Sequence, residues 1–551
     1  MARRAAAGLA AALALLLTGC VGIPTGGAVG SAPIDLDDDG GDIITRADPP
    51  QRGATPSELL AGFLTAQRAP QGNYSVARQF LTDAFRTEWS PSERVLVSDT
   101  PIVPEQRSDT QFELQVSVDA LVGSAGNYTE LAEPEQQLLE YEFEQDADGE
   151  WRISAAPAGI LVSSNQFDRD FGAYPLYFYD PSGDYLVPDL RWFPQTSSRA
   201  DRIVKELLAG QSAVYQNGVL VTAFPPDTKI DGGVTISQGA ATVDLAGDIA
   251  SQDQPTRWRM QQQLVASLSA LSEVSSVQLT VGGFPVDVGD GAHPDSTQAV
   301  RSDPLGLTEG GFGYLTRDNV DRIAGISQAV EELAPLGATL GRSTSAAAVR
   351  SAQGAWIVAA DGAPVLVDDR AGIIDPGLDE RGYLWSAVGS SADSIVAVNA
   401  EGDRHTFASP NLDGQIVALD VSRDSARLII ATQTAGGPEL TLVGIVRDGN
   451  GAPVGLGEPL AVTVGSGRML DAAWVDASTV AVLSGDGDVD LYRLGGRHES
   501  YGTVADGVQL VGGNLAEGIR VRVGDGTVWR HISSGGWQAT GIVASFLGTQ
   551  Q

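Results

Sequence analysis

Cysteine is the scarcest residue of this chain, because the 551 residues include only one, Cys20. A chain with one cysteine cannot form an internal disulfide, so its fold has to be stabilised by burial of apolar side chains. A hydrophobic fraction of 42% and a charged fraction of 19% are typical of a globular protein. At this length we expect about two to four domains.

Histidine and lysine are almost as scarce as cysteine. The only lysines, Lys205 and Lys229, do not follow a glycine-rich loop, which excludes a phosphate loop that ends in Gly-Lys. Ser466 lies between two glycines but lacks the strand-to-helix context of a hydrolase nucleophile. We therefore predict no enzyme, with no catalytic residue, metal ligand or cofactor. No zinc site is expected, since the four histidines are far apart in the sequence: His293, His405, His498 and His531.

Catalysis by a pair of carboxylates is the one kind of catalysis that the composition leaves open. The chain has 70 acidic residues, and glycoside hydrolysis needs only two of them across a cleft. Most of them stand in turn sequences, where backbone geometry alone favours aspartate. Asp486, Asp488 and Asp490 alternate beside such a turn, so a calcium site is a further alternative there.

Positive charge is also in short supply. With 35 basic residues against 70 acidic ones, the formal net charge is −35. Such a surface repels nucleic acid and anionic lipid headgroups, so we predict no nucleic-acid partner. Basic partners or cations would be attracted instead.

Long apolar runs are absent apart from Ala5–Leu17 near the N-terminus, which is too short to cross a bilayer. Two arginines precede this run, and Leu17-Thr18-Gly19-Cys20 follows, which together resemble a secretory signal that ends in a bacterial lipobox. The resemblance implies a lipoprotein signal peptide over 1–19 and lipidation of Cys20. It places the protein on the extracytoplasmic face of the cell membrane, held by its lipid. Residues 20–54 are rich in glycine and aspartate, which predicts an acidic flexible linker.

The first folded domain is predicted over 55–165. Thr55-Pro56-Ser57-Glu58 has the pattern of a capped helix start, and a second helix is expected over about Tyr74–Phe85. Alternating apolar residues at 112–118 and a turn at 146–149 between two apolar segments predict an antiparallel sheet. Two helices followed by a curved sheet resemble the NTF2-like α+β domain. The turn also resembles a calcium loop, but Ala155 stands where that loop needs a glutamate.

The second domain is predicted over 168–300. The segments DRIVKELLAG, AFPPDTKI and ATVDLAGD are followed by a long helix and a valine-rich strand, an order that resembles the GerMN α/β domain. GerMN domains have no established catalytic residues, so none is carried over. One face of the long helix is expected to comprise Trp258, Leu264, Val265, Leu268 and Leu271. A group of aromatic residues near the start of the domain predicts strand or interdomain packing, with a sugar- or peptide-binding surface as the alternative: Tyr174, Tyr177, Phe178, Tyr179, Tyr185, Trp192 and Phe193.

The third domain is predicted over 310–550, as an all-β propeller. Pairs of short strands joined by Asp-Gly or Gly-Asp turns recur at a spacing of about 40–45 residues, which is the period of a propeller blade. This spacing gives five or six blades, or seven if the blades are short. The repeated tryptophans are expected to pack between blades: Trp385, Trp474, Trp529 and Trp537.

The order of lipobox, NTF2-like domain, GerMN domain and propeller resembles the actinobacterial LpqB lipoprotein family. The blade segments ALDVSRDSARLIIA and LWSAV are similar to that family. The resemblance implies an accessory or regulator of a two-component sensor kinase of the Mtr type, which binds the extracytoplasmic domain of the kinase and influences the cell envelope and division. The alternative is a binding or processing module for peptidoglycan or envelope glycan.

Overall fold

The computed structural model describes residues 47–316, 319–391, 394–407, 413–532 and 535–551. The predicted signal peptide, Cys20 and the linker as far as residue 46 lie outside the described residues. The chain divides into two units, Met1–Gly41 and Asp42–Gln551, and all described residues belong to the second.

The first domain begins with the helix that the sequence predicts. Helix α1 spans Pro56–Ala66 and has a complete capping box. The Glu58 carboxylate accepts the Thr55 N–H at 2.8 Å, and the Thr55 hydroxyl oxygen accepts the Glu58 N–H at 3.4 Å. This exchange satisfies amide groups that the first turn of a helix leaves without partners. Leu60 and Phe63 of α1 are buried in the core of the domain.

The predicted second helix over about Tyr74–Phe85 is wrong. A left-handed turn at 71–74 comes first, then a 3-10 turn at Ala77–Phe80 and a short helix, α2, at Phe85–Glu88. Leu81 leaves the helical conformation because it forms a bridge to Ile153 in the sheet, where the Thr82 N–H donates to the Ile153 carbonyl at 3.0 Å. Pairing with the sheet thus interrupts a segment whose apolar spacing is helical.

A six-stranded sheet completes this α+β domain, in the order β5-β4-β3-β1-β6 with β2 paired to β3. The predicted turn at 146–149 joins β4 to β5. The Asp146 carboxylate accepts the Asp148 and Glu150 N–H groups at 3.0 Å, so it stabilises the turn itself. The strands are β1 Arg94–Val97, β2 Glu105–Ser108, β3 Gln111–Gly123, β4 Tyr128–Gln145, β5 Trp151–Ala155 and β6 Ile160–Val162.

The second domain has a two-stranded hairpin and a four-stranded α/β sheet in the order β12-β11-β10-β9. The helix Gln254–Leu268 connects β10 to β11, which are parallel. Gly210 ends the helix Arg199–Ala209 at φ 108°, a conformation that favours glycine. The elements are α3 Ser164–Asp170, β7 Phe171–Tyr179, β8 Leu186–Pro194, α4 Arg199–Ala209, β9 Lys229–Ser237, β10 Ala240–Ala246, α5 Gln254–Leu268, β11 Ser276–Val281 and β12 Phe284–Pro285, with a 3-10 turn at Ala213–Tyr215.

One predicted core position on α5 is wrong. Val265 is 38% exposed, whereas Leu264 and Leu268 are buried as predicted. Met260, together with the polar Gln263 and Ser267, completes the buried face. Both polar side chains have a hydrogen-bond partner outside the helix: the side-chain Oε1 of Gln263 accepts the Ala223 N–H at 2.9 Å, and the Ser267 hydroxyl accepts the Tyr177 N–H at 3.0 Å. These tertiary hydrogen bonds rotate the buried face away from Val265.

The third domain is a propeller of six blades, within the predicted range. Strand β37 Phe546–Gln550 pairs antiparallel with β13 and so completes the first blade. The innermost strands β37, β16, β20, β24, β29 and β33 contact one another in that order, and β33 contacts β37 again, which closes the ring. The remaining strands, blade by blade, are β13 Leu305–Thr308, β14 Gly311–Leu315, β15 Val320–Asp321; β16 Gly337–Leu340, β17 Ala346–Ser351, β18 Gly354–Ala359, β19 Val365–Asp368; β20 Gly377–Leu378, β21 Leu384–Ser386, β22 Val396–Val398, β23 Arg404–Thr406; β24 Gln415–Val421, β25 Arg427–Thr434, β26 Gly437–Arg447, β27 Pro453–Leu456, β28 Leu460–Val462; β29 Met469–Trp474, β30 Thr479–Ser484, β31 Asp488–Arg493, β32 His498–Thr503; β33 Gly507–Val511, β34 Arg520–Val523, β35 Thr527–Ile532 and β36 Gly536–Val543. A short helix, α6 Ser327–Glu332, and a 3-10 turn at Ala516–Gly518 lie in the connections.

Polar side chains link successive blades at the centre of the propeller. Asp420 accepts the Trp474 N–H at 3.0 Å, and Asp471 accepts the Leu510 N–H at 2.8 Å. Gln509 accepts the Leu547 N–H at 2.9 Å in the same way. Each of these side chains satisfies a backbone donor of the next innermost strand, where a buried unpaired amide would be costly. Trp385 and Trp474 are buried as predicted, while Trp529 and Trp537 are only partly buried.

Candidate functional site

The second domain and the propeller share one hydrophobic core. This cluster joins Val214 and Val219 of the second domain to Leu440 and Leu442 of the fourth blade. Gly444 and Gly457 face Val219, and a Cβ on either would press against its side chain. A continuous apolar core of this kind fixes two domains relative to each other, in contrast to the polar interfaces that allow domain motion.

Arg427 is fully buried within this shared core. Its guanidinium forms an ion pair with Asp424 and lies 4.7 Å from the centre of the Trp474 ring. Its Nε and Nη1 atoms have no hydrogen-bond acceptor, so the Trp474 ring is part of what stabilises the charge. The sequence indicated no role for Arg427; a charged residue inside the apolar blade segment was the available signal.

Ion pairs connect the loops of the second domain to the propeller. Arg381 reaches Asp180 and Asp184 at 3.3 and 3.1 Å. Arg342 reaches Asp295 at 2.5 Å and also donates to the Tyr185 hydroxyl at 2.8 Å. These pairs are partly exposed, so they define the orientation of the two domains more than they add stability.

Trp192 of the second domain contacts both of the other domains. Its ring lies 5.8 Å from that of Tyr128 in the first domain, and its Nε1 donates to the Gly495 carbonyl of the propeller at 2.8 Å. Nearby, Arg497 of the propeller pairs with Asp168 at 2.7 Å. Most of the other aromatic residues that the sequence singled out in this region are buried: Tyr174, Phe178, Tyr179, Tyr185 and Phe193. The packing interpretation therefore fits this group better than a sugar- or peptide-binding surface.

The four histidines each have a different partner in the fold. His498 lies 3.0 Å from a Glu130 carboxylate oxygen, and His293 lies 2.9 Å from Gln262. His405 and His531 pack against Tyr383 and Tyr501 respectively. Within the described ranges there is no group of three or more potential metal ligands among His, Cys, Asp and Glu. Asp488, one of the three alternating aspartates, accepts the Thr503 hydroxyl instead.

Two carboxylates at the centre of the propeller have a raised pKa, that of the buried Asp420 and that of the partly buried Asp471. Burial raises the pKa of Asp420 to about 7 and that of Asp471 to about 8. Arg423 crosses the same region, where it donates to the carbonyls of Gly513 and Gln550. Because these side chains also hold the blades together, their acidity is explained by their structural position.

A cavity of about 300 Å³ lies between the first and second domains. Its walls include Tyr74, Trp192 and Phe193, with Arg199 and Arg202 of α4 on one side. An open groove of about 670 Å³ lies between α4 and the start of β9, and Lys205 and Lys229 both line it. The sequence predicted no role for these lysines, although their rarity was a signal.

Three family models match the chain in the order of its domains. The lipoprotein LpqB N-terminal domain matches residues 49–168, and the sporulation and spore germination domain matches 175–287. The lipoprotein LpqB β-propeller domain matches residues 310–544.

Curated relatives have the same family name. The lipoprotein LpqB of Cutibacterium acnes is 29% identical over 52% of this chain and 48% of its own length, and that of Thermobifida fusca is 31% identical over 57% and 53%. The chain therefore spans about half the length of these relatives. The lipoprotein LpqB of Rhodococcus opacus is 25% identical over 88% of this chain and 86% of its own length. Among solved structures, the first GerMN domain of the sporulation protein GerM from Bacillus subtilis is 24% identical, covers 23% of this chain and 94% of that one, and has a TM-score of 0.19.

The fold and the three matches define a class: multidomain lipoproteins in which a GerMN domain is joined to a β-propeller. Within that class, the chain belongs to the LpqB lipoprotein family, which confirms the resemblance seen in the sequence. This family is named as a lipoprotein and not as an enzyme. Within the part of the chain that the structure describes, no helix is long and apolar enough to cross a membrane.

Proposed function

We propose that this protein is held on the extracytoplasmic face of the cell membrane by a lipid on Cys20 and regulates a sensor kinase of the Mtr type by binding it. The kinase is the partner that the family resemblance implies. The observation that carries the proposal is the apolar core shared by the second domain and the propeller. A rigid body of this size presents surfaces in a fixed arrangement, which is what recognition of another protein requires.

The polar groups of the propeller support binding over catalysis. Asp420 and Asp471 each accept a backbone N–H of the next blade, which gives both carboxylates a structural role between blades. The alternative function, binding or processing of peptidoglycan through the central channel, has weaker support. The Arg423 and Gln551 side chains extend across that region and are buried.

Reciprocal co-purification from detergent-solubilised membranes tests the proposal. We expect the kinase to be enriched with the tagged lipoprotein, and the lipoprotein with the tagged kinase. A kinase that lacks its extracytoplasmic domain is the matched control. It should not be enriched with the tagged lipoprotein, and its tagged form should not enrich the lipoprotein. Absence of enrichment in both directions would contradict the proposal.

Replacement of the single cysteine tests the anchor. We expect Cys20→Ala to release the protein from the membrane fraction, because no other residue of this signal can form a thioether with lipid. Cys20→Ala protein that stays in the membrane fraction after a high-salt wash would contradict the anchor. Fractionation with immunoblotting measures the distribution.

A further inference from the structure

The only two lysines of the chain line the same groove. Lys205 belongs to α4 and Lys229 begins β9, and both are exposed on the groove that separates these elements. Arg202 contributes a third cation, while Leu208 and Ile230 provide apolar surface. The chain as a whole has a net charge of −35, so a groove lined by three positively charged side chains differs from the rest of the surface.

The positive charge of this groove is partly compensated. Arg202 pairs with Glu206 at 3.2 Å, and Asp201, which accepts the Val234 N–H at 2.5 Å, is a second carboxylate beside the groove. Neither lysine forms an ion pair with a carboxylate among the described residues. The two lysines therefore carry the remaining positive charge of the groove, which an anionic group can neutralise.

The groove continues into the cavity between the first two domains, because Ser198 and Arg202 line both. The Arg202 guanidinium lies 5.5 Å from the centre of the Phe193 ring, its Nε is 3.2 Å from a Glu206 carboxylate oxygen, and its Nη2 donates to the Ser124 carbonyl. These contacts hold the Arg202 side chain at the junction of the groove and the cavity. The cavity itself is walled by Tyr74 and Trp192, and its volume is at the lower end for small-molecule sites, about 300–1,000 Å³.

The backbone of the cavity wall is strained. Gly72, Asn73 and Tyr74 have φ angles of 57°, 55° and 59°, so three successive residues are in the left-handed region. For a residue as large as tyrosine this conformation is unfavourable. Such strain is concentrated at ligand clamps and active sites, where the surrounding structure holds it in place.

We propose that the groove and the cavity together bind a phosphate-bearing small molecule. The phosphate would lie among Lys205, Lys229 and Arg202, and the apolar or ring-shaped body would enter the cavity beside Trp192. Phosphate matches the site because a doubly charged group needs several cations, and lysine binds it as a point charge. A soluble phosphate ester and a phospholipid headgroup share this chemistry. The inference is independent of the kinase.

The scarcity of lysine gives a direct test. Reductive methylation with ¹³C-formaldehyde keeps the charge of each lysine and labels only two side chains, and single lysine substitutions assign their NMR signals. The full chain in detergent micelles is titrated with inorganic pyrophosphate for the soluble source. In a second arm, the full chain is mixed with phosphatidylglycerol vesicles, and phosphatidylcholine vesicles serve as the control.

We expect both lysine signals to shift together and to saturate with one Kd below about 1 mM. Arg202→Ala should raise this Kd at least tenfold. If Arg202→Ala fails to fold, Lys205→Gln replaces it, and the NMR signal of Lys229 should then show the same rise in Kd. The matched control Arg107→Ala, on an exposed ion pair of the first domain, should leave the Kd unchanged. Saturation with pyrophosphate supports a soluble ligand, and a response to phosphatidylglycerol alone supports a headgroup. Shifts that stay linear in both arms, as with sodium chloride, would overturn the proposal.

Discussion

At the scale of single residues, buried charge is what distinguishes this protein from a plain repeat scaffold. Arg427 is 0% exposed, and Asp424 beside it is 2% exposed. Asp424 also accepts the Ala426 N–H at 3.0 Å, so both members of the ion pair are held in place. Loss of one partner of a buried pair leaves the other charge without compensation, which costs more than the pair itself contributes.

We expect Arg427→Met to lower the free energy of unfolding of the joined second domain and propeller by about 3–5 kcal/mol, since Asp424 would remain buried and unpaired. Urea denaturation followed by tryptophan fluorescence measures the change. Arg497→Met is the matched control, because its pair with Asp168 is exposed, and it should cost at most about 1 kcal/mol. Equal losses in the two variants would show that Arg427 has no special role.

The partly buried carboxylate of Asp471 predicts a pH dependence. Its pKa is raised to about 8 in the folded state, above the usual value of 3.8. Its contribution to stability is therefore fully present below pH 4 and is lost as the pH rises through 8. We expect Asp471→Asn, which is neutral throughout, to match the wild type near pH 3.5 and to have a higher Tm near pH 9. Thermal unfolding at both pH values measures this, and a Tm difference that is the same at both would contradict the assigned pKa.

At the scale of elements, the sequence predicted correctly those features that depend only on residues close together in the chain. The capping box of α1 and the glycine that ends α4 depend on residues within one turn, so the sequence was sufficient for both. The segment over 74–85 and Val265 were predicted wrongly because long-range contacts decide them. A bridge from Leu81 to the sheet and hydrogen bonds from Gln263 and Ser267 have no counterpart in apolar spacing.

Strand β37 is the element that closes the propeller, and Gly548 of this strand lies close to both neighbouring strands. A Cβ at this position would lie 2.7 Å from Leu305 Cδ2 and 2.9 Å from the Ala338 carbonyl oxygen. We expect Gly548→Val to destabilise the propeller by about 1–3 kcal/mol through overpacking. Hydrogen exchange should show faster exchange in β13, β37 and β16. In the control Gly524→Val, the new side chain meets open space and should leave exchange in these strands unchanged; unchanged exchange in Gly548→Val as well would contradict this account of closure.

At the scale of the whole molecule, the sequence predicted the kinds of domain and their order, since each has its own periodicity and turn chemistry. It could not predict how the domains meet. Val219 fits against Gly444 and Gly457, and Trp192 donates to Gly495, more than 200 residues further along the chain. The sequence also could not predict the groove that contains Lys205 and Lys229, because this groove forms only when β9 lies beside α4.

The central claim is that this rigid body acts by binding the extracytoplasmic domain of a sensor kinase. Biolayer interferometry with that domain immobilised and the full chain in detergent as analyte tests the claim most directly. We expect saturable binding with a single Kd, unchanged for Asp471→Asn and weakened for Arg427→Met, in which the shared core is disturbed. Absence of saturable binding by a chain whose cooperative unfolding shows that it is folded would contradict the claim.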